Sequence, residues 1–171
     1  MLKIKVVASV DDQMGLSRNN RVPWCVPGHH RQMIEKSCLF KINAFIYGRR
    51  TWESIPPGER NECKHVKFIL SRSVYGPKER NVFYYSTFDE ILNRIVEVKE
   101  QIDNVWVCGG KSLYTMALDS HYFFRLYLTH IKGDFQCDNH FPSIDELVET
   151  ELTSGKSTLT DSNVKVYRRQ V

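Results

Sequence analysis

Twice in this chain an apolar, strand-like run ends in glycine and passes directly into a helix-like segment. The first is Ala44-Phe45-Ile46-Tyr47 followed by Gly48-Arg49-Arg50-Thr51-Trp52-Glu53-Ser54-Ile55-Pro56. The second is Val105-Trp106-Val107-Cys108 followed by Gly109-Gly110-Lys111-Ser112. Such a junction leaves the first backbone N–H groups of the helix without partners, and glycine lets another group come close to the backbone. The arginine pair after Gly48 adds fixed positive charge, so the turn suits phosphate. On an ordinary helix start Arg49 and Arg50 would be solvated surface, and Gly109-Gly110 a plain tight turn. Their company in one α/β chain favours a phosphate-rich cofactor laid across strand ends.

The rest of the chain reads as strands alternating with helices and then a β-rich tail. Strands are predicted over Lys3 to Val10, Asn43 to Tyr47, Val66 to Leu70, Asn81 to Tyr85, Asn104 to Cys108, Arg125 to Ile131 and Val164 to Arg169. Asp11 to Arg21 reads as a polar loop ending at Val22-Pro23-Trp24, and Pro27-Gly28 opens a helix reaching Lys36 or Phe40. The clearest helix is Thr87 to Val98: Thr87 and Glu90 make a capping box, and Phe88, Ile91, Leu92, Ile95 and Val98 share one face. Ser112 to Leu118 is a further helix. No helix of useful length separates the last two strands, so they are expected to pair antiparallel. The fold class is therefore α/β, a mixed, mostly parallel central sheet with an antiparallel C-terminal strand, flanked by helices. The 171 residues fit one domain, 1–171.

Composition is that of an ordinary globular protein, 42% hydrophobic and 26% charged, with net charge +4. That charge is too mild and too scattered for nucleic acid; a local anionic ligand fits better. No apolar run is long enough to span a membrane, and Met1 to Ala8 reads as a first strand rather than a signal peptide. The cysteines, Cys25, Cys38, Cys63, Cys108 and Cys137, are odd in number and form no CxxC pair. Reduced thiols in the cytoplasm follow. His29 and His30 point about 100° apart on a helix, a poor arrangement for one metal ion, so no metal is expected.

Several islands now line up in order: Val22-Pro23-Trp24, the run Gly48 to Pro56, Gly109-Gly110 with Tyr114, Leu126-Tyr127-Leu128-Thr129-His130-Ile131, and Asp138-Asn139-His140-Phe141-Pro142. Together the chain resembles the dihydrofolate reductase family over essentially its whole length. The resemblance implies a monomeric, cytoplasmic oxidoreductase of folate and one-carbon metabolism. It would pass hydride from NADPH to dihydrofolate or a related small-molecule pterin, with no nucleic-acid or membrane partner. Arg49, Arg50 and Thr51, beside Gly48, would hold the cofactor phosphates. Ser71 and Arg72, after Leu70, would meet the adenosine 2′-phosphate. Gly109 and Gly110 would admit the cofactor, with Lys111, Ser112, Leu113 and Tyr114 at the helix start. Ala8 and the loop holding Met14, Gly15 and Asn20 would cover the nicotinamide. The pterin pocket would be lined by Ala8, Trp24, His29, Met33, Ser54, Ile55 and Cys108, with Thr129 behind it. Met33 and Ile34 suit a core position equally well, and Trp52 suits the core better. Cys108 reads as a small apolar wall, and His130 and His140 as structural residues.

The chain departs from the family pattern at both ends of the substrate. The acidic residue expected after the Pro-Trp loop is absent, since none lies between Trp24 and Glu35. His29 takes that position by the shorter spacing and His30 by the longer. His29 is preferred and becomes the candidate proton donor, although a neutral imidazole has one acceptor and cannot make a two-pronged bond. At the far end, the arginine that grips the folate α-carboxylate is replaced at His65, with Lys64 adjacent. Ser17 and Asn20 stand where the family often has glycine, which would stiffen that loop. These departures imply weakened dihydrofolate activity. They also leave two other readings open: a reductase of a different heterocycle, and a non-catalytic NADPH-binding protein.

Overall fold

The computed structural model describes residues 1–24, 42–60, 64–73, 79–150 and 163–170. Its described strands are β1 Ile4–Val10, β2 Gly15–Ser17, β3 Asn43–Gly48, β4 Val66–Leu70, β5 Val82–Tyr85, β6 Asn104–Val107, β7 Phe123–His130, β8 Asn139–His140, β9 Leu147–Glu149 and β10 Asn163–Arg169. Its described α-helices are α1 Arg49–Ser54, α2 Pro57–Arg60, α3 Phe88–Glu97 and α4 Lys111–Asp119. Eight strands form one sheet in the order β5-β4-β3-β6-β1-β7-β10-β9, while β2 and β8 make a separate ribbon. Pairing is parallel from β5 across to β7. It turns antiparallel where β10 joins β7 and β9 joins β10.

The alternation along β1 explains the two layers. Ile4, Val6, Ala8 and Val10 are buried against α3 and α4, which contribute Phe88, Ile91, Leu92, Ile95, Leu113, Tyr114 and Ala117. The opposite face carries Phe45, Tyr47, Ile69, Val82 and Cys108, packed against Trp52 and Ile55 of the α1 region. Helices therefore stand on both faces, as parallel sheets require. Trp52 is a core residue, as expected. The Thr87 capping box forms: the Glu90 N–H donates to Thr87 Oγ1 at 3.2 Å and the Thr87 N–H to Glu90 Oε2 at 3.1 Å.

Two expectations need correction. The predicted loop Asp11 to Arg21 contains β2, a three-residue strand paired with the two-residue β8. β9 and α2 were also not predicted. Elements this short carry no readable periodicity. The predicted helix from Pro27 lies outside the described residues. Among the described residues no helix is long and apolar enough to cross a membrane, and Cys108 and Cys137 are free thiols.

Asp11 organises the ribbon. Its Oδ1 accepts the N–H groups of Gln13 at 2.9 Å and Gly15 at 2.7 Å, and its Oδ2 accepts that of Phe135 at 3.0 Å. Burial opposes ionisation of this carboxyl. The hydrogen bonds from Phe135, Gly15 and Gln13, with the Cys137 thiol, outweigh it and hold the group below the usual aspartate range. Gly15 permits the close packing, since a Cβ there would stand 2.5 Å from Cys137 Cβ. A lowered folded-state pKa contributes stability above the unfolded value, about 3.9, that is lost as pH falls through the folded one. Asp11→Ala is therefore expected to cost about 2–4 kcal/mol in urea denaturation at neutral pH, through orphaned N–H groups. The difference from wild type should shrink in acid below about pH 4.

Candidate active site

The two glycine junctions meet. At the end of β3 the Gly48 N–H donates to the Gly109 carbonyl at 2.6 Å, and just before it the Cys108 N–H donates to Ile46 at 2.9 Å. A Cβ on Gly48 would stand 3.4 Å from both the Gly109 oxygen and the Gly110 nitrogen. The Gly109–Gly110 peptide is cis, and Gly109 has φ +119°, where a side chain would be strained. Tyr114 closes this corner from α4. Its hydroxyl donates to the Val7 carbonyl at 3.0 Å, and its ring lies 5.0 Å from that of Phe141. Burial pushes its phenol pKa well above the ordinary value.

Neither helix that starts here has a capping side chain at its N-cap. Gly48 caps α1 and Gly110 caps α4 without a side-chain hydrogen bond, and neither first turn holds an acid. Arg49 reaches across to the loop after β4, its guanidinium donating to Ser73 Oγ at 3.2 Å, with Glu53 3.8 Å from Nε. Arg50 and Arg72 are exposed, as are Lys111 and Ser112, while Leu113 is buried and Leu70 half-buried. Ser71 Oγ is buried with no partner among the described residues. Thr51 Oγ1 lies 3.4 Å from where a Gly110 Cβ would be. The residues named for phosphate contact thus share one edge, at the C-terminal ends of β3, β4 and β6.

The remaining candidates are more dispersed. Cys108 and Ile55 share the second apolar cluster, and the Cys108 thiol points to the Trp106 carbonyl at 3.9 Å. Ser54 spends its hydroxyl on the Thr51 carbonyl at 2.7 Å. Trp24 is buried against Phe135, ring centroids 5.4 Å apart, and its Nε1 has no partner among the described residues. Ala8 sends its side chain into the α4 core rather than to the Cys108 face. Thr129 of β7 stands beside Ser9 of β1. Met14 lends its carbonyl to Phe141 at 2.8 Å. Asn20, at φ 60°, takes the left-handed conformation that asparagine tolerates in place of glycine. His140 is exposed on β8, and the buried Nε2 of His130 has no partner among the described residues. His29, His30, Met33 and Ile34 lie outside the described residues.

His65 has a different place from the one the sequence suggested. It is 2% exposed, its ring packs edge-on to Phe45 at 5.5 Å, and its Nδ1 accepts the Asn43 N–H at 3.1 Å. Burial first, then the charges of Lys67 and Lys64, hold its pKa below the ordinary histidine value. A neutral ring engaged by backbone offers no charge to a carboxylate. Sequence reasoning assigns no role to Val7 or Asp11, and takes Asp138 and Phe141 only as part of an island that carries the family resemblance. Val7 acts through its carbonyl, which no side-chain pattern reveals. Asp11 and Asp138 look like ordinary loop acids until their backbone partners are seen.

A family model described as dihydrofolate reductase matches residues 3–169. The dihydrofolate reductase of Heliothis virescens is 33% identical over 179 residues, covering 98% of this chain and 96% of that protein. The dihydrofolate reductase of Rattus norvegicus is 32% identical over 149 residues, covering 83% of this chain and 80% of its own. A solved Schistosoma mansoni dihydrofolate reductase superposes with a TM-score of 0.80 at 24% identity, over 97% of each chain, a likeness of fold.

Because the His65 pKa is lowered on folding, its contribution to stability is complete above the unfolded value, about 6.5, and is lost as pH falls from there toward the folded value. Urea midpoints are expected to drop as pH falls below about 6.5, because the unfolded chain takes up a proton that the buried ring refuses. His65→Asn, which keeps an acceptor but cannot titrate, should flatten that slope; an unchanged slope assigns it to other histidines.

Proposed function

The chain belongs to the dihydrofolate reductase family, and on that premise we propose that it reduces dihydrofolate, or a closely related pterin, with NADPH. A member of this family is an oxidoreductase of the dihydrofolate reductase type. The observation that carries the finer reading is the contact between Gly48 and Gly109, which lines up two uncapped helix starts beside Arg49, Arg50 and Arg72. NADPH fits what these residues leave open. Backbone N–H groups and the unpartnered Ser71 hydroxyl are donors awaiting anionic oxygens, and the glycines leave room that a Cβ would fill. Bound there, the cofactor would supply a hydride to a flat heterocycle.

The chain's own residues would do the rest. Arg49, Arg50 and Thr51 hold phosphates, and Ser71 with Arg72 distinguishes a 2′-phosphate from a bare ribose. Cys108 and Ile55 offer a dry apolar wall, and Tyr114 fixes the Val7 carbonyl at its edge, so that water is excluded and the acceptor ring oriented. Proton supply falls to His29, whose imidazole can act as an acid near neutral pH. Lacking the paired acceptor oxygens of a carboxylate, it binds the amidine-like edge of a pterin weakly, and dihydrofolate turnover is low for the family.

A second reading is favoured by the burial of His65: the physiological acceptor lacks the anionic glutamate tail. Turnover of dihydrofolate against dihydropteridines without glutamate separates the two; a marked preference for dihydrofolate ends the second.

The cofactor assignment is tested by calorimetry. Arg72→Ala should weaken NADPH binding about ten-fold or more, a change of about 1.4 kcal/mol, while leaving NADH nearly unaffected. Equal losses for both cofactors remove Arg72 from the 2′-phosphate. His29→Asp should raise dihydrofolate reduction about 100-fold, and no rise moves the acid position elsewhere.

A further inference from the structure

The chain that leaves α1 cannot finish that helix with its own backbone. The two residues beyond the cap are Pro56 and Pro57, and proline has no N–H to return to the last carbonyls. The Ile55 N–H closes on the Trp52 carbonyl at 3.2 Å, and the last turn holds no basic residue. Arg60 takes over this task. It ends α2, whose turn is closed by the Glu59 N–H on the Pro56 carbonyl at 2.8 Å. Its Nε donates to the Ile55 carbonyl at 2.6 Å and its Nη2 to the Glu53 carbonyl at 2.5 Å. One planar guanidinium thus spans the two carbonyls on either side of Ser54, which the single point donor of a lysine could not do.

The guanidinium is itself held in place. It lies 5.5 Å from the centroid of the Trp52 ring. Trp52 is buried, packs on Tyr47 at 5.4 Å and donates its indole N–H to the Tyr84 hydroxyl of β5. The two ends of α1 are therefore fixed by different means. The N-terminal end continues β3 and is tied by the bond from Gly48 to Gly109. The C-terminal end, with Ser54 and Ile55, is held by Arg60 and by burial of Ile55 in the cluster that contains Cys108.

The same molecule supplies a comparison. The last turn of α4 also lacks a basic residue, and a guanidinium from β10 serves it. Arg169 Nη2 donates to the Leu118 carbonyl at 2.6 Å and to the Ser120 carbonyl at 3.0 Å. The bonding is alike, yet the candidate residues of α4, Lys111 to Tyr114, stand at its other end.

We propose that Arg60 is a positioning residue for the acceptor heterocycle: by fixing the Glu53 and Ile55 carbonyls, it sets where Ile55 walls the pocket. The inference rests on the reductase reading above. Arg60 acts through Ile55, and a displaced wall leaves the ring poorly oriented, which weakens its binding.

The test measures dissociation constants by calorimetry. The heterocycle probe is whichever of dihydrofolate and 6-methyl-7,8-dihydropterin wild type binds more tightly. Arg60→Met keeps an unbranched stem on Trp52 and removes the fork. It should weaken the probe about ten-fold and leave NADPH within about two-fold, because the Gly48 end is held separately. Arg169→Met, the same change at the other helix, should leave both constants within about two-fold of wild type. Arg60→Lys keeps the charge without the fork and should weaken the probe about three-fold or more. Wild-type affinity for the probe in Arg60→Met, or equal losses for probe and NADPH, overturns the proposal. So does a loss in Arg169→Met as large as that in Arg60→Met, which makes the effect one of stability alone. Should Arg60→Met not fold, Arg60→Lys decides, and wild-type affinity in it overturns the proposal. A wild-type chain that binds neither heterocycle nor NADPH overturns the reductase reading as well. Binding by wild type with equal constants in every variant overturns this inference alone.

Discussion

One hydrogen bond holds the functional end of this molecule together: the Gly48 N–H to the Gly109 carbonyl at 2.6 Å. It joins the last residue of β3 to the residues just past β6, two strands that are neighbours in the parallel sheet. Each continues into a helix on a different face, so the contact brings two helix starts to one edge. Only glycine is at ease at the φ of Gly109. The convergence of two helix starts at one edge follows from chain geometry before any charged side chain is considered. The arginines then add charge where the backbone already donates.

The two ends of the sheet handle their polar groups in opposite ways. At the N-terminal ends a continuous chain of hydrogen bonds runs across four strands. Lys5 Nζ donates to Asn104 Oδ1 at 2.7 Å, Asn104 Nδ2 to Asn43 Oδ1 at 2.9 Å, and the Asn43 N–H to His65 Nδ1 at 3.1 Å. Asp103 satisfies the Ile42 N–H beside it at 2.8 Å. At the C-terminal ends the pattern reverses. α1 and α4 start uncapped, and the hydroxyl of Ser71 is buried without a partner among the described residues. Buried donors without acceptors cost stability, and a fold retains them where a ligand completes them. The bonded chain braces one end of the sheet, and the other end carries the candidate site.

What was legible in the sequence follows the same division. Parallel strands buried on both faces read as apolar runs, and α3 announced itself by its capping box and apolar stripe. The glycine junctions were legible because glycine is there for backbone reasons that its position in the chain exposes. The β2–β8 ribbon was not, because a strand of two or three residues has no period to detect. Asp11 was invisible for a related reason: its partners are backbone N–H groups at residues 13, 15 and 135, and nothing in residue type signals that convergence. His65 shows the reverse failure. Its position along the chain suggested a ligand-facing role, while its surroundings, Phe45 and the Asn43 N–H, make it a neutral part of the wall.

That last case bears on how a family site changes. The resemblance placed His65 where the family has a charge offered outward, and here the side chain is an acceptor turned inward. The physical signature is the coupling of burial, a lowered pKa and a backbone donor at one residue. Once His65 closes the start of β3 in this way, restoring a cation there would do more than add charge. It would leave the Asn43 N–H without its acceptor and place a guanidinium among Phe45, Lys67 and Lys64, where desolvation and like charge both oppose it. The setting of His65 is thus tied into the fold of β3 and β4. The glycine corner is built instead on backbone hydrogen bonds at the other end of β3.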